Sequence, residues 1–206
     1  DRLCAMLGET ANDIWASTFH STCARILRRD GERIGYSSHF TVYDTDDQRR
    51  LMKNILKELD ISEKNITPKS ILNEISRAKD SLISPAEYAL TVGDDFRLKI
   101  ISRAYTTYQK RLEDADAMDF DDLINKIVEL FKKCPDVLEY YQNRFRYLMV
   151  DEYQDTNHAQ YTFVRMLAEK SGNLCVVGDD DQSIYKFRGA TIENILSFEN
   201  TFQNAT

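Results

Sequence analysis

The spacing of apolar residues changes twice along the chain and divides it into three segments. In residues 1–33 the pattern predicts a short strand at 14–18, then a polar loop and a helix with a basic face. Residues 34–116 place apolar side chains at helical spacing and carry few strand signals. In residues 117–206, short apolar strands alternate with helices again. This order predicts an α/β sheet domain that is interrupted by an all-helical insertion domain at residues 34–116.

Helix-capping signals give the middle segment its predicted helix starts. Thr67-Pro68 and Ser84-Pro85 each place a capping hydroxyl before a proline in the first helical turn. Either Asp94 or the residue after it predicts the start of a longer helix, and residues 45–48 have the pattern of a capping box. The apolar stripes of these helices would bury against one another, so we expect the insertion to have a small core of its own.

Two short strands in the last segment run directly into acidic loops. The predicted strands at residues 146–150 and 174–177 are followed by Asp151-Glu152 and by the acidic residues 179–181. In an open parallel α/β sheet, ligands bind at the carboxyl ends of the strands. The pattern therefore predicts a site that presents Mg²⁺ and a catalytic base to a nucleoside triphosphate.

Composition and charge restrict the class of protein. Of the 206 residues, 42% are hydrophobic and 30% are charged, as in an ordinary soluble globular protein. No apolar run approaches the roughly 18 residues that a membrane span needs, and no leader opens the chain, so we expect a cytoplasmic protein. The four cysteines fit no metal-ligand spacing, which predicts reduced and mostly buried thiols. A formal net charge of -7 argues against a basic coat for nucleic acid but leaves a local groove open.

The first acidic loop offers two carboxylates for different tasks. Asp151, at the strand end, can reach Mg²⁺ directly or through water. Glu152 points another way, which suits a general base that deprotonates a water molecule. A solvated acidic turn is the alternative for an isolated acidic pair, but the longer string of residues 151–157 favours the functional interpretation.

The second loop, residues 178–190, mixes several chemistries. Gln182 can position a water molecule or sense the γ-phosphate, and Arg188 can stabilise charge on the transferred phosphoryl group. Tyr185 and Phe187 can stack on nucleobases. The alternative is that these two aromatic residues belong to the core and that Arg188 pairs with a nearby aspartate.

A third candidate lies at the start of the first basic helix. Thr18, Phe19, His20 and Ser21 bring hydroxyls, an imidazole and helix N-terminal amides together, which favours contact with phosphate. A capped helix with a half-buried His20 is the alternative. The arginines that follow are interpreted as a solvated face of the helix; they are Arg25, Arg28, Arg29 and Arg33.

The helices of the last segment carry fewer chemical signals. Residues 119–122 place acids where they stabilise a helix N-terminus, and we do not interpret them as a metal site. Further helices are predicted from Pro135, at about residues 157–170 and at about residues 191–202.

Together these strings resemble the superfamily 1A DNA helicases of the UvrD/PcrA/Rep family. Residues 18–21 are similar to motif Ib of that family, and residues 119–123 to the short motif ahead of its Walker B strand. Residues 151–157 are similar to motif II, and residues 178–190 to motif III. In this family a RecA-like domain, 1A, is interrupted by a helical domain, 1B. The resemblance therefore implies that residues 1–33 and 117–206 belong to domain 1A and that residues 34–116 form domain 1B.

The resemblance also implies cofactors and roles. ATP and Mg²⁺ would be bound, Asp151 would hold the metal, and Glu152 would activate the hydrolytic water. Gln182 would couple the γ-phosphate to DNA, and Arg188 would contact that phosphate.

The implied DNA contacts come from two motifs. Thr18 and His20 would contact the backbone of single-stranded DNA, on which Tyr185 and Phe187 would stack. Phe187 stands where family members often carry Trp, and stacking survives that change with less ring area. The implied activity is ATP-driven 3′→5′ movement on single-stranded DNA, with unwinding at single-strand/double-strand junctions, in repair or replication restart. Such a protein would be cytoplasmic and associated with the nucleoid.

One departure from the family pattern limits what this chain could do alone. The sequence contains no Gly-x-x-x-x-Gly-Lys-Ser/Thr phosphate loop. The family's Walker A segment lies upstream of the matching region, and its domain 2A lies downstream. The resemblance therefore implies an internal fragment with an incomplete P-loop NTPase sheet, expected to be inactive in ATP hydrolysis without the rest of the helicase chain. Two alternatives stay open, the helicase subunit of an AddA/RecB-type helicase–nuclease and a non-catalytic DNA- or protein-docking module.

Overall fold

The structure is a computed structural model that describes residues 2–62 and 66–179. Its α-helices are α1 (Arg2–Leu7), α2 (Phe19–Asp30), α3 (Thr45–Glu58), α4 (Pro68–Asp80), α5 (Pro85–Thr91), α6 (Phe96–Asp114), α7 (Phe120–Lys133), α8 (Pro135–Arg144) and α9 (His158–Ala168). Its strands are β1 (Thr41–Val42), β2 (Ala117–Met118), β3 (Leu148–Val150) and β4 (Leu174–Val176). Short 3-10 helices occupy Gly8–Asp13, Gly31–Ile34 and Tyr153–Asp155.

The described residues form a helix-rich mixed fold in which the short strands pair in parallel. β3 and β4 align so that Leu148 lies opposite Leu174 and Val150 opposite Val176. Helix α9 connects these two strands, as parallel pairing requires of a crossover connection. The predicted parallel strands of the last segment are thereby confirmed, although each is shorter than predicted.

The second strand pair was not expected from the sequence. β1 pairs in parallel with β2, with Thr41 opposite Ala117 and Val42 opposite Met118. Because β1 has only two residues, it is too short to show the alternation by which a strand is recognised.

One hydrophobic core lies among α2, α7, α8 and α9. At its centre the ring of Phe131 stacks on Phe163 at 6.1 Å and lies 6.1 Å from Tyr141. Leu27 and Ile127 are fully buried beside these rings. Burying each such side chain stabilises the fold by about 1.5–3 kcal/mol, which fixes the helices that carry the candidate site.

A second hydrophobic core lies among α3, α4 and α6. Its buried residues include Met52, Ile71, Ile75, Ile101 and Leu112. The predicted apolar stripes of these helices therefore do pack against one another. The boundaries of the three predicted domains stay a prediction, since Tyr36 and Phe40 pack in the first core.

Most predicted helix caps are confirmed. The side chains of Thr67, Ser84 and Asp95 accept hydrogen bonds from amides in the first turns of α4, α5 and α6. The capping box predicted at residues 45–48 is wrong by one residue. Asp44 is the N-cap of α3, and its carboxylate accepts from the amides of the second and third helical residues at 2.8 and 2.9 Å.

The strand predicted at residues 14–18 is wrong, since none of the described strands includes these residues. The segment is held by side chains instead of by sheet pairing. The ring of Trp15 packs against Phe145 at 5.0 Å and lies 3.8 Å from the guanidinium of Arg25. The side chain of Thr18 caps α2 by accepting a hydrogen bond from the amide of Ser21.

Two further sequence predictions can be checked. Cys23 and Cys134 are buried, but Cys4 and Cys175 are exposed, so the prediction of mostly buried thiols holds for only half of them. Among the described helices, none has the length and apolar character needed to cross a membrane.

Candidate functional site

The parallel pairing of β3 and β4 places the two acidic loops side by side. Beyond the strands, the amide of Val177 donates to the carbonyl of Val150 at 2.8 Å. The amide of Tyr153 then donates back to the carbonyl of Val177 at 2.9 Å. These bonds carry the pairing past the strand ends, so the loop after β3 is anchored to the start of the loop after β4.

Asp151 is exposed at the end of β3 and is available to a ligand. Its carboxylate accepts a hydrogen bond from the amide of Glu152 at 3.0 Å. Within the described residues, no group of three or more His, Cys, Asp or Glu side chains could hold a metal ion. Mg²⁺ in nucleotide sites is commonly held by one or two carboxylates together with substrate phosphates and water. A single exposed carboxylate at a strand end fits that mode of binding.

Glu152 has an unusual backbone conformation. Its φ of 51° and ψ of 43° lie in the left-handed region, which costs a residue with a side chain about 1–3 kcal/mol. The carbonyl of Glu152 accepts the amide of Asp155 at 2.9 Å, which closes the short 3-10 helix after the strand. The exposed carboxylate is thus carried by a sharp corner of the backbone, directly after the strand.

Gln154, for which no role is predicted from the sequence, connects the two acidic loops. It is only 1% exposed, and its Nε2 donates to Oε2 of Glu152 at 2.7 Å. Its Oε1 accepts the backbone amide of Asp179, in the second acidic loop, at 3.1 Å. The sequence offers one signal for these contacts, which is the position of this polar residue between Glu152 and Asp155.

The start of α2 has the geometry of a capped helix. Thr18 Oγ1 accepts from the amide of Ser21 at 3.2 Å and donates to the hydroxyl of Ser21 at 3.0 Å. Phe19 is half-buried and packs edge-on against Phe163 at 6.4 Å. Both hydroxyls stay exposed, so capping and contact with a ligand are compatible at this helix end.

His20 is half-buried and lines a small cleft. Its ring centre lies 5.0 Å from that of Phe120. The cleft has a volume of about 200 Å³ and is lined by His20, Asp80, Phe120, Asp121, Ile124, Asn125, Asp155, Asn157, Ala159 and Gln160. It reaches Asp155 and Asn157 at the end of the first acidic loop, and thereby connects two of the predicted motifs.

The basic face of α2 is exposed, as predicted, but its arginines have partners within the chain. The guanidinium of Arg25 stacks on Trp15, and that of Arg28 lies 3.9 Å from the centre of the Phe40 ring. Arg33, in the 3-10 helix that follows α2, forms a bidentate pair with Asp136. These partners hold α2 to its neighbours.

A buried ionic cluster joins α4 to the start of α7. Lys79, which is 1% exposed, places its Nζ 2.7 Å from Asp119 and 2.9 Å from Asp122. The hydroxyl of Tyr108 donates to Asp119 at 3.0 Å, and the amide of Gln109 donates to Asp122 at 3.3 Å. The sequence predicted only the helix-capping part of this arrangement, which is also present: Asp119 and Asp122 form a capping box.

The pKa values in this cluster are set by burial and by the presence of two acids around one cation. Burial lowers the pKa of Lys79, but the charges of Asp119 and Asp122 outweigh that effect and raise the pKa above its ordinary value. Burial and the neighbouring charge of Asp119 raise the pKa of Asp122 to about 6. The two directions are consistent, because one ammonium cannot fully compensate two buried carboxylates.

The cluster is connected to the first acidic loop through the next residue of the chain. Asp80, beside Lys79, accepts a hydrogen bond from Nδ2 of Asn157 at 2.6 Å. Asn157 also caps α9, since its Oδ1 accepts the amide of Gln160 at 2.9 Å. The end of α4 is therefore tied to the end of the acidic loop.

Several predicted residues lie outside the described part of the chain. They are Gln182, Tyr185, Phe187, Arg188 and the closing helix predicted at residues 191–202.

A parallel strand pair with acidic loops at its carboxyl end, in a helix-rich fold, is consistent with a helicase N-terminal domain. The model of the UvrD/REP helicase N-terminal domain matches residues 1–203, so the chain belongs to that family. It is 52% identical over 206 residues to the ATP-dependent DNA helicase PcrA of Bacillus subtilis and 49% identical over 205 residues to that of Staphylococcus aureus. Each match covers 100% of this chain, and the chain spans only 28% of the length of either relative.

Proposed function

We propose that this chain is part of an ATP-dependent DNA helicase that couples hydrolysis of Mg-ATP to 3′→5′ movement on single-stranded DNA. The observation that carries the proposal is the exposed pair Asp151 and Glu152, held at the carboxyl end of paired parallel strands beside the second acidic loop. The family match and the PcrA relatives support the same function. They also favour a helicase over the helicase subunit of a helicase–nuclease.

In this proposal the two carboxylates divide the work of hydrolysis. Asp151 would hold Mg²⁺, which when bound neutralises charge on the phosphate oxygens. Glu152 would orient the attacking water molecule and accept its proton. Both side chains are exposed, and the carboxylate of Glu152 accepts a hydrogen bond from Gln154 that Asp151 does not share, so the two acids can take different roles.

The remaining roles are assigned on family resemblance and on placement. Gln182 and Arg188 would contact the γ-phosphate, and Tyr185 and Phe187 would stack on bases of single-stranded DNA. The exposed hydroxyls at the start of α2, together with His20 in its cleft, support a DNA-backbone contact by residues 18–21.

We further propose that the described strands belong to a RecA-like sheet interrupted by a helical domain. Met149 is 78% exposed and Tyr147 is 80% exposed on or beside β3. Large apolar side chains beside a two-stranded sheet suit burial under further chain. The Walker A segment and domain 2A of a complete helicase would supply it. We expect the 206-residue chain alone to be inactive in ATP hydrolysis, because its sequence contains no Gly-x-x-x-x-Gly-Lys-Ser/Thr loop to hold the phosphates.

The test is single-strand-stimulated ATP hydrolysis by the complete protein that contains this chain, compared with its Glu152→Gln variant. Loss of a general base lowers the rate by about 10²–10⁴-fold. The matched control is Glu169→Gln, which removes an exposed carboxylate at the end of α9 and should leave the rate unchanged. The absence of DNA-stimulated hydrolysis in the unmodified complete protein would overturn the proposal and favour a docking module.

A further inference from the structure

We propose that Gln154 is a positioning residue for hydrolysis, which holds the carboxylate of Glu152 in place and makes that placement depend on the second acidic loop. The inference rests on the proposed function of Glu152 as the general base. Gln154 is fully buried beneath the loop, so it would act through Glu152 and not by touching the nucleotide.

Glu152 needs such a partner because little else restrains its side chain. Its carboxylate is exposed, and among residues 2–62 and 66–179 no Lys or Arg side chain forms an ion pair with it. The bond from Nε2 of Gln154, at 2.7 Å, is therefore the contact that orients it. A misplacement of a catalytic group by about 1 Å can lower a rate by about 100-fold.

An amide suits this task better than a cation would. A lysine or arginine beside Glu152 would stabilise its ionised form and weaken it as a base. The amide N–H of Gln154 orients the carboxylate with one hydrogen bond and brings no net charge. The geometry thus restrains Glu152 while leaving it able to accept a proton.

The oxygen of the same side-chain amide is bonded to the second acidic loop. The backbone N–H of Asp179 can only donate, so Oε1 of Gln154 must face it and Nε2 must face Glu152. If the backbone at Asp179 shifts, the Gln154 side chain cannot keep both its bond to Asp179 and its bond to Glu152. Placement of the base is therefore linked to the loop that begins at Asp179.

A purely structural role is the competing explanation, because a buried glutamine with both ends bonded also stabilises the loop. Two variants of the complete protein separate the two explanations. Gln154→Met removes both hydrogen bonds at similar side-chain length. Gln154→Glu keeps an acceptor for the Asp179 amide and replaces the donor toward Glu152 with a second carboxylate.

The measurements are kcat and KM for ATP in single-strand-stimulated hydrolysis and the melting temperature of each variant. We expect both variants to lower kcat by about 10–100-fold while KM for ATP changes less than about threefold. A loop that is merely destabilised would lower the melting temperature and raise KM for ATP together with the fall in kcat.

A double variant tests whether Gln154 acts through Glu152, and it distinguishes a failure of this inference from a failure of the proposed function. In a Glu152→Gln background, adding Gln154→Met should cause no further loss of kcat if Gln154 acts only through Glu152. A further loss of tenfold or more would overturn the inference, as would wild-type kcat in both single variants. If Glu152→Gln abolishes hydrolysis while the Gln154 variants stay active, the proposed function stands and the inference falls. If the unmodified complete protein hydrolyses no ATP, both fall.

Discussion

Two acidic pairs in this molecule begin directly after short parallel strands, and the fold places them in opposite environments. Asp119 and Asp122 follow β2 and are buried around the ammonium of Lys79. Asp151 and Glu152 follow β3, are exposed, and have no ion-pair partner among the described residues.

The difference teaches that acids at a strand end are not by themselves a functional signal. A buried carboxylate needs a cation or several donors, because desolvation of an unpaired charge costs several kcal/mol. Asp119 bonds to Lys79, to Tyr108 and to the amide of Asp122 and is only 2% exposed, so it is inaccessible to a ligand. The exposed pair stays accessible, which the proposed contacts with metal and water require.

We expect the largest effect on stability when the ammonium of Lys79, which Asp119 and Asp122 share, is removed. Lys79→Met leaves two buried carboxylates without their counter-charge, and we expect the free energy of unfolding to fall by about 3–5 kcal/mol at pH 7. Urea unfolding of the 206-residue chain, followed by circular dichroism, measures this change.

The matched control for that experiment is Lys99→Met. Lys99 pairs with Asp94 at 3.2 Å but is 49% exposed, so its loss should cost less than about 0.5 kcal/mol. Equal effects of the two variants would contradict the view that burial makes the first acidic pair a structural feature.

A second effect concerns the pH dependence of stability in the buried pair. The pKa of Asp122 is about 6 in the folded chain, against an ordinary value of 3.8. Between these values the folded state holds a proton that the unfolded state has lost. The contribution of Asp122 to stability is therefore fully present below about pH 4 and is lost as the pH rises through 6.

The variant Asp122→Asn removes this dependence. We expect the difference in unfolding free energy between wild type and variant to change by up to about 3 kcal/mol between pH 4 and pH 7, in the direction that favours wild type at pH 4. Asp136, whose pKa is lowered by a hydrogen bond from Arg33, provides a control of opposite sign. Its contribution is present above its unfolded pKa and is lost on acidification, and it should be small because the pair is exposed. A flat difference for Asp122→Asn would show that the two buried acids are fully compensated.

A third effect separates catalysis from stability in the exposed pair. In the complete protein, Asp151→Asn should lower single-strand-stimulated ATP hydrolysis by about 100-fold or more, which corresponds to about 2.7 kcal/mol of transition-state stabilisation. The unfolding free energy of the 206-residue chain should stay within about 0.5 kcal/mol, because the side chain is exposed. Asp119→Asn should give the reverse, with its main effect on unfolding. If Asp151→Asn destabilised the chain as strongly as Asp119→Asn, the contrast between the pairs would be lost.

Local features of this fold could be predicted from the sequence. Helix starts at Thr67, Ser84, Asp95 and Asp119 were predicted because a cap and its amide lie within three residues of each other. The apolar strands before the two acidic loops were predicted for a similar reason, since a strand buried on one side shows in its own composition.

Features that depend on distant partners could not be predicted. The partner of Asp119 lies 40 residues earlier at Lys79, and the partner of Gln154 lies 25 residues later at Asp179. Residues 14–18 were predicted as a strand on apolar character alone, but Trp15 is anchored by contacts with α2 and with Phe145, at the end of α8. In these cases tertiary contacts decided the role of a residue, whereas the one-residue error at the start of α3 was local.

The smallest predicted effect concerns the link between the two regions. Asp80 is the residue after Lys79, and it accepts the 2.6 Å hydrogen bond from Asn157 at the end of the loop that carries Asp151. Asn157→Ser keeps an N-cap for α9 but loses the donor to Asp80, so we expect a loss of about 1–2 kcal/mol in unfolding free energy. A double-mutant cycle with Asp80→Ala should give a coupling energy of about 1 kcal/mol, because each variant removes the same bond. Additive losses would mean that the buried pair and the exposed pair are stabilised independently. A measurable coupling would mean that the helix carrying Lys79 also fixes where the exposed carboxylates stand.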